Sequence, residues 1–384
     1  MKSVALMLAM VGTLISGCSW FGDEDNSEPP AKLESFERQV ELKKIWSRST
    51  GKGTEEQFIK LVPTVSGGRV HVADRNGTVS VIEIETGEVV WRKKTDIAIS
   101  AGTGVGEGLV LVGSSEGELV AFDAETGEIR WRTEVSSEVL SVPQVYDDVV
   151  IVQTVDGNLA GLDTDSGEAL WIHDRSVPVL TLRGSSTPLV ADGVVLAGFA
   201  NGKMTALETA SGREIWEAAV AVPHGRTELQ RIVDLDANPV VYQGVLYVTS
   251  YQGRLVAIGL SDGRIVWNRD MSSYAGLDVD SSHVYVSDAD SEVWALDRRS
   301  GGSLWKQNAL RRRALTGPVI IGDYIGVGDF EGYLHLLSRF DGSIAGRVRV
   351  DSDGIAAAPV AVFGERLLVL GAGGTLVFYQ LEPA

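Results

Sequence analysis

The sequence predicts an all-β protein, an eight-bladed β-propeller of four-stranded antiparallel blades whose ring is closed by an N-terminal strand. Three observations lead to this fold. A short phrase ending in tryptophan returns about every forty residues, the strands between its copies are apolar on both faces, and a piece missing from the last unit is present near the N-terminus.

Residues 1–17 have the composition of an export signal. Lys2 supplies a positive charge, and the apolar run from Val4 to Ile15 is too short to cross a bilayer comfortably as a mature helix. The run ends in LISGC, and Cys18 is the only cysteine in the chain. This ending resembles the lipobox of bacterial lipoproteins, which implies that Cys18 is acylated and becomes the new N-terminus. An ordinary signal peptide with an incidental cysteine is the alternative.

Residues 18–41 are predicted to form a lipidated flexible tether. The stretch begins SWFGDEDNSEPP, which is acidic, contains proline and has too few apolar residues to order itself. Acyl chains on Cys18 would hold the protein on a membrane without a transmembrane helix. In lipoproteins with such a signal, Ser19 rather than an aspartate after the cysteine implies sorting to the outer membrane. We therefore expect a lipid-anchored protein on the periplasmic face of the cell outer membrane.

Residues 42–384 contain the repeat. In six copies a glycine follows Thr, Ser or Asp and stands four residues before a tryptophan, a pattern typical of a tight turn between two strands. The copies are EIETGEVVW (83–91), DAETGEIRW (123–131), DTDSGEALW (163–171), ETASGREIW (208–216), GLSDGRIVW (259–267) and DRRSGGSLW (297–305). A seventh copy, SRFDGSIAG (338–346), keeps the turn glycine and has Gly346 in place of the tryptophan.

Each repeat unit is predicted to hold four short antiparallel strands. Runs such as VVIV (149–152) and RLLVL (366–370) are apolar at both alternating positions, which indicates strands covered on both faces, as in a blade between two neighbours. The last unit, 358–381, ends after three strands, and LKKIWSRS (42–49) supplies the fourth. Exchanging a strand between the chain ends closes a ring and removes exposed edges, so we expect the strand of Trp46 to complete the last blade.

The phrase Asp-x-x-[Thr/Ser]-Gly-x-x-x-Trp resembles the repeats of pyrroloquinoline quinone (PQQ) dehydrogenases and their non-enzymatic relatives. Those enzymes hold the quinone with a calcium ion, a catalytic aspartate and typically a disulfide between adjacent cysteines. Such a disulfide is impossible here because Cys18 is the sole cysteine, and the ring is shorter than these enzymes need for their cofactor loops. We therefore expect no catalytic residues, no cofactor and no metal site.

Five dispersed phrases resemble those of a narrower family, the propeller lipoproteins of the outer-membrane β-barrel assembly (Bam) machinery. They are LTLRGSSTP (180–188), DLDANPVV (234–241), LTGPV (315–319), GDFEGYL (328–334) and VDSDG (350–354). The resemblance implies a non-enzymatic scaffold of the Bam complex that docks on the POTRA domains of BamA, the barrel-forming subunit. Such a scaffold assists folding and insertion of outer-membrane β-barrel proteins. Unfolded outer-membrane proteins are a further partner that the resemblance allows.

Two connections between blades are unusually long. From the tryptophan position to the proline of the next blade, three connections take twelve or thirteen residues, whereas 171–188 takes seventeen and 216–239 takes twenty-three. The connection before the first blade, 46–63, also takes seventeen. All these connections emerge on one face of a propeller, so the two long ones that flank the fourth blade should lie side by side. Extra loop length on a rigid scaffold is where binding is commonly placed.

The long connections carry the candidate partner-binding residues, with Leu180, Leu182 and Arg183 on the first and Asp234 and Asp236 on the second. Apolar side chains beside charged ones suit a protein partner, because the leucines can serve as anchors and the charges can orient the partner. The resemblance implies the same role, since the corresponding residues of the family lie in the surface that docks a POTRA domain. The alternative is that Arg183 pairs with Asp234 or Asp236 and braces the two connections.

The net charge of −18 argues against nucleic acid or anionic lipid as the principal partner, because phosphate-binding surfaces need concentrated lysine and arginine. The five histidines are scattered, with no pair at metal-ligand spacing. The run Arg311–Arg313 is expected to be a solvated turn, with contact to an acidic partner as the alternative. Two other function classes compete with the scaffold, a periplasmic PQQ-dependent oxidoreductase and a propeller that binds cell-wall polymer.

Overall fold

The computed structural model describes residues 28–182, 184 and 186–384. Residues 31–384 form one compact unit, and the strands described within it assemble into eight four-stranded antiparallel sheets. The first strands of neighbouring blades contact one another, so these strands line the centre of the ring. The predicted eight-bladed β-propeller is confirmed.

Strands are numbered in chain order, and each of the first seven blades uses four consecutive strands. Blade 1 contains β2 (Thr64–Ser66), β3 (Arg69–Ala73), β4 (Thr78–Glu83) and β5 (Val89–Lys94). Blade 2 contains β6 (Gly104–Gly106), β7 (Leu109–Gly113), β8 (Glu118–Asp123) and β9 (Ile129–Glu134). Blade 3 contains β10 (Gln144–Tyr146), β11 (Val149–Gln153), β12 (Asn158–Asp163) and β13 (Ala169–Asp174). Blade 4 contains β14 (Leu189–Ala191), β15 (Val194–Gly198), β16 (Lys203–Glu208) and β17 (Glu214–Ala219).

Blades 5 to 8 follow the same plan, except that the last blade takes its outer strand from the N-terminus. Blade 5 contains β18 (Val240–Tyr242), β19 (Val245–Thr249), β20 (Arg254–Gly259) and β21 (Ile265–Asp270). Blade 6 contains β22 (Gly276–Val279), β23 (His283–Ser287), β24 (Val293–Asp297) and β25 (Ser303–Gln307). Blade 7 contains β26 (Val319–Ile321), β27 (Tyr324–Gly328), β28 (Tyr333–Ser338) and β29 (Ile344–Arg349). Blade 8 contains β30 (Val360–Val362), β31 (Arg366–Leu370), β32 (Thr375–Pro383) and β1 (Val40–Ser49).

The two faces of the ring differ in what they carry. Because the four strands of each blade alternate in direction, the turns between the first and second strands and between the third and fourth strands share one face. The turns between the second and third strands share the other face with all the connections from one blade to the next. We call the latter the connection face and the former the turn face. A short 3-10 helix, Leu229–Arg231, lies in the connection between blades 4 and 5.

Closure of the ring depends on β1, which pairs antiparallel with β32 from Val40 opposite Pro383 to Ser49 opposite Thr375. Trp46 of β1 is buried, its ring lies 5.5 Å from that of Phe378 in the same blade, and its Nε1 donates to the carbonyl of Ile84 in blade 1 at 2.7 Å. The predicted role of the Trp46 strand is confirmed, and the strand begins two residues earlier than the predicted position 42.

The repeated tryptophans and glycines form one contact between neighbouring blades. Each tryptophan Nε1 donates to a backbone carbonyl in the next blade, as Trp91 does to Ala124 at 2.9 Å and Trp131 does to Thr164 at 2.7 Å. The turn glycine of that next blade lies against the indole ring, so a Cβ on Gly127 would lie 2.7 Å from Trp91. These glycines also have positive φ, which is 68° at Gly127. The repeated sequence phrase therefore forms the packing contact between neighbouring blades as well as a turn between two strands.

Arg313 lies in the interior, so the expectation of a solvated turn at 311–313 is wrong for this residue. Its side chain is 3% exposed, and its Nε donates to Asp329 Oδ2 at 2.7 Å. Asp329 also lies 2.9 Å from His335 Nε2, and both of these side chains are fully buried. The backbone of the 308–318 connection passes over blade 7 at this point, and the Phe330 N–H donates to the carbonyl of Arg313. Arg313 differs from its neighbours in the sequence because another element buries it. Residue spacing in the sequence does not reveal such burial.

Candidate functional site

The two long connections, 175–188 and 220–239, lie side by side on the connection face, as predicted. The backbone N–H of Leu182 donates to Asp234 Oδ2 at 2.5 Å, and the backbone N–H of Thr187 donates to Asn238 Oδ1 at 2.8 Å. In both bonds a polar side chain of the second connection accepts from the backbone of the first. The second connection therefore holds the first in place.

Apolar side chains project from the first connection into solvent. Leu180 is 45% exposed, Leu182 is 39% exposed and Val179 is 89% exposed. We call these three residues the apolar rim. The second connection adds Val222 and Leu229, which are 68% and 65% exposed. Sequence reasoning found the two leucines and missed the other three, whose exposure depends on how the connections fold back over blades 3 to 5.

Asp234 and Asp236 are buried beneath the connections, at 0% and 6% exposure. Their neighbours Val233 and Leu235 are buried as well, so this part of the second connection packs into the propeller. A Cβ on Gly184 would lie 2.4 Å from the carboxylate of Asp236, which shows how closely the two connections approach. The aspartates thus support the apolar rim from the interior and do not face a partner directly.

Burial shifts the titration of both aspartates. Desolvation raises the pKa of Asp234 to about 7, opposed by the hydrogen bond from the Leu182 N–H and reinforced by the charge of Asp236. Desolvation also raises the pKa of Asp236 to about 6, opposed by the charge of Lys60. In the folded protein, therefore, Asp234 titrates near neutral pH, whereas Asp236 titrates about one pH unit lower.

Lys60 joins this site from the other side of the ring, and sequence reasoning missed it. It lies in the connection between β1 and β2, and its Nζ donates to the carbonyl of Asp236 at 3.3 Å and lies 3.5 Å from the carbonyl of Tyr274. The connections into blades 1, 5 and 6 thus meet at the centre of the connection face. Although solvent still reaches the side chain, surrounding protein desolvates the ammonium and lowers its pKa, opposed by the charge of Asp236.

Comparison with known proteins identifies the family. The sequence matches the family model described as Outer membrane protein assembly factor BamB over residues 43–97 and 75–307. The chain belongs to the BamB family. A curated BamB of Pseudomonas aeruginosa is 48% identical over 379 residues, which cover 99% of this chain and 98% of that protein.

Solved structures agree with BamB membership. The crystal structure of BamB from Moraxella catarrhalis has a TM-score of 0.81 and 31% identity, covering 88% of this chain and 99% of that one. A quinohemoprotein alcohol dehydrogenase from Comamonas testosteroni has a TM-score of 0.70 at 14% identity, covering 89% of this chain and 76% of that one. At that identity the second likeness shows the propeller fold alone. The BamB family consists of assembly factors and not of enzymes, so the non-enzymatic prediction is confirmed.

Two of the site residues predicted from the sequence lie outside the described residues: Arg183, predicted to bind a partner, and Cys18, predicted to be lipidated. Over the described ranges, no three His, Cys, Asp or Glu side chains cluster in a way that could hold a metal ion. No helix within those ranges is both long and apolar enough to span a membrane.

The structure brings together four of the five predicted partner-binding residues, with two leucines at the surface and two aspartates below them.

Asp234→Asn should reduce the pH dependence of stability. Because the folded pKa of Asp234 is raised above its ordinary value of 3.8, its contribution to stability is present below that value and is lost as the pH rises through about 7. Asparagine stays neutral and can still accept from the Leu182 N–H. We expect the variant to gain at least about 1.4 kcal/mol over wild type between pH 5 and pH 8 in urea unfolding.

Asp270→Asn is the matched control for this experiment, because that side chain on β21 is 93% exposed. It should leave the pH dependence of the free energy of unfolding as in wild type. If Asp234→Asn behaves like this control, the raised pKa of Asp234 is wrong.

Proposed function

We propose that this chain is a non-enzymatic scaffold of the Bam complex that docks on the POTRA domains of BamA and assists folding and insertion of outer-membrane β-barrel proteins. The observation that carries the proposal is the apolar rim, an exposed group of Val179, Leu180 and Leu182 held on a braced connection. Membership of a family whose curated members are named outer membrane protein assembly factors supports the same role.

The rim has the physical properties of a docking surface. A partner that covers exposed leucines stabilises the complex by about 25 cal/mol for each Å² of apolar area removed from water. Bracing by Asp234 lowers the conformational entropy that the loop would otherwise lose on binding. In a typical protein interface a few buried anchor residues supply most of the binding energy. We assign Leu180 and Leu182 to direct contact, Asp234 and Asp236 to support, and Arg183 to the charged part of the surface.

The anchor of the scaffold is proposed to be lipidated Cys18, following a signal peptide of residues 1–17. Acylation would place the propeller on the periplasmic face of the outer membrane, where the POTRA domains of BamA lie. A bilayer-bound scaffold meets a bilayer-bound partner at a raised effective concentration, so a moderate contact at the rim would suffice for stable association.

Affinity purification of the wild-type protein from solubilised envelopes, with partners identified by mass, tests this function. We expect BamA to be recovered as the main partner. Recovery of cell-wall fragments without BamA would contradict the docking role, and recovery of unfolded outer-membrane proteins alone would favour a holding role over docking. Stoichiometric dye reduction by the purified protein with added PQQ and calcium would contradict the non-enzymatic role.

A further inference from the structure

Residues 31–39, which the sequence places in the flexible tether, lie against the outside of blades 6 and 7 and extend the ordered body of the chain ahead of β1. The backbone N–H of Ala31 donates to the carbonyl of Arg311 at 3.0 Å, and that of Gln39 donates to the carbonyl of Ala345 at 2.9 Å. Leu33 packs against the apolar cluster between these blades, which includes Leu310. We call residues 31–39 the strap.

Two arginines of blade 7 and its incoming connection hold the strap. Arg313 Nη1 donates to the carbonyl of Ala31 at 3.0 Å, and Arg347 Nη1 donates to the carbonyl of Glu34 at 3.1 Å. The guanidinium of Arg347 also lies over the ring of Phe36, 4.9 Å from its centroid. Hydrogen bonds from charged donors are the stronger kind, and a cation over an aromatic face adds to them.

Buried partners fix both arginines in position. Arg347 Nε donates to His335 Nδ1 at 3.1 Å, so the opposite nitrogen of that ring can donate to Asp329, 2.9 Å away. Asp329 in turn accepts from Arg313 at 2.7 Å. A connected set of side chains therefore runs from the interior of blade 7 to two points along the strap.

The seventh repeat copy has glycine in place of tryptophan, and this glycine lies against the N-terminal segment that includes the strap and β1. Gly346 stands at the tryptophan position, and a Cβ there would lie 3.0 Å from both Val40 Cγ1 and the Val40 carbonyl oxygen. The first residue of β1 thus lies directly against the position that carries tryptophan in the other six repeat copies. The departure from the repeat at position 346 makes room for the N-terminal segment.

The strap runs from one face of the ring to the other. Ala31 contacts the 308–318 connection, which lies on the connection face, whereas Gln39 contacts Ala345 at the start of β29, which lies toward the turn face. The strap therefore begins at residue 31 on the face that carries the apolar rim, although β1 itself begins near the turn face.

We propose that the strap sets the side from which the membrane anchor leaves the ring, so that the lipid and the docking surface share the connection face. This inference rests on the proposed lipid anchor. Residues 18–30 between Cys18 and the strap can span at most about 45 Å, so the exit point biases which face lies nearer the bilayer.

The first test releases the strap. Arg347→Ala removes its central contacts, and we expect trypsin to cut the full-length protein after Lys32 about tenfold faster than wild type, since a charged hydrogen bond contributes about that factor. Arg349→Ala is the matched control, because it lies on the same strand and its Nε donates to the carbonyl of Glu331 and not to the strap. Equal cutting rates in wild type and both variants would overturn the claim that Arg347 holds the strap against blade 7.

The second test measures orientation on vesicles carrying lipid acceptor dyes. A fluorophore is attached to the lipidated protein at Asp290→Cys, in a connection-face turn of blade 6, or at Arg299→Cys, in a turn-face turn of the same blade; lipidation of Cys18 leaves the introduced thiol as the free one. We expect energy transfer to be about twofold higher from position 290, given the limited span of residues 18–30. In Arg347→Ala the difference should shrink, and in Arg349→Ala it should persist.

The outcomes separate the two levels of the proposal. Equal transfer from both positions in the strapped protein would overturn the placement of the anchor on the connection face. Failure of the wild-type protein to bind vesicles would overturn the lipid anchor, and with it this inference, while the trypsin rates would still report the strap. Failure to recover BamA from envelopes would refute the docking role and leave the orientation result unchanged.

Discussion

Trp46→Ala should lower the free energy of unfolding by about 3–5 kcal/mol, the range for truncating a buried tryptophan. Trp46 is 6% exposed, packs against Phe378 and donates to the carbonyl of Ile84 in blade 1. Its loss therefore weakens two contacts at once, one between the two chain ends inside blade 8 and one between blade 8 and blade 1. Urea unfolding followed by circular dichroism measures the change.

The control for this variant is Trp46→Phe, which keeps an aromatic side chain against Phe378 and loses the indole N–H donor together with part of the buried ring. We expect a cost of about 1–3 kcal/mol there, because the carbonyl of Ile84 is left without its partner. A change below about 1 kcal/mol in Trp46→Ala would mean that β1 does not close the ring as the structure shows.

Replacing both Leu180 and Leu182 by aspartate should abolish recovery of BamA from envelopes while leaving the propeller folded. Truncating an interface hot spot costs about 2 kcal/mol or more, about thirtyfold in affinity, and burying two charges in place of the leucines should cost more than a hundredfold together. Stability should change little, because both side chains are already 39–45% exposed in the unbound protein. Affinity purification and thermal unfolding of the same samples provide the two measurements.

Leu304→Asp is the matched control for this double variant. Leu304 on β25 is 54% exposed, but it lies on the outer strand of blade 6 and away from the connection face. It should recover BamA as wild type does. Undiminished recovery by a folded Leu180→Asp, Leu182→Asp protein would remove the apolar rim from the docking surface.

Several features of the site were within reach of the sequence because they depend on spacing. The lengths of 171–188 and 216–239 placed both connections on one face, and the hydrogen bond from Leu182 to Asp234 shows that they meet there. The sequence also indicated that Leu180, Leu182 and Arg183 of the first connection and Asp234 and Asp236 of the second would bind a partner. It could not separate the leucines from the aspartates, since both sets lie in loops without a regular alternation of inward and outward positions.

Features that depend on distant segments were missed. Lys60 reaches the carbonyl of Asp236 from a connection about 176 residues earlier in the chain, and Arg313 is buried by the turn that contains Asp329. The strap was expected to be part of a tether because its neighbouring composition is acidic and polar. Its order comes from Leu33, Phe36 and the arginines of blade 7, which no local pattern connects to it.

The sequence by itself determined the number of blades, the closing strand and the position of the long connections. These properties arise from turn glycines, alternation along strands and residue counts, all of which act over a few neighbouring positions. The tertiary structure alone decided that Asp234, Asp236 and Arg313 are buried, that Val40 packs against Gly346, and that Ala31 lies on the 308–318 connection. Burial and close approach depend on which distant segment packs over a residue, and closing the ring brings those segments together.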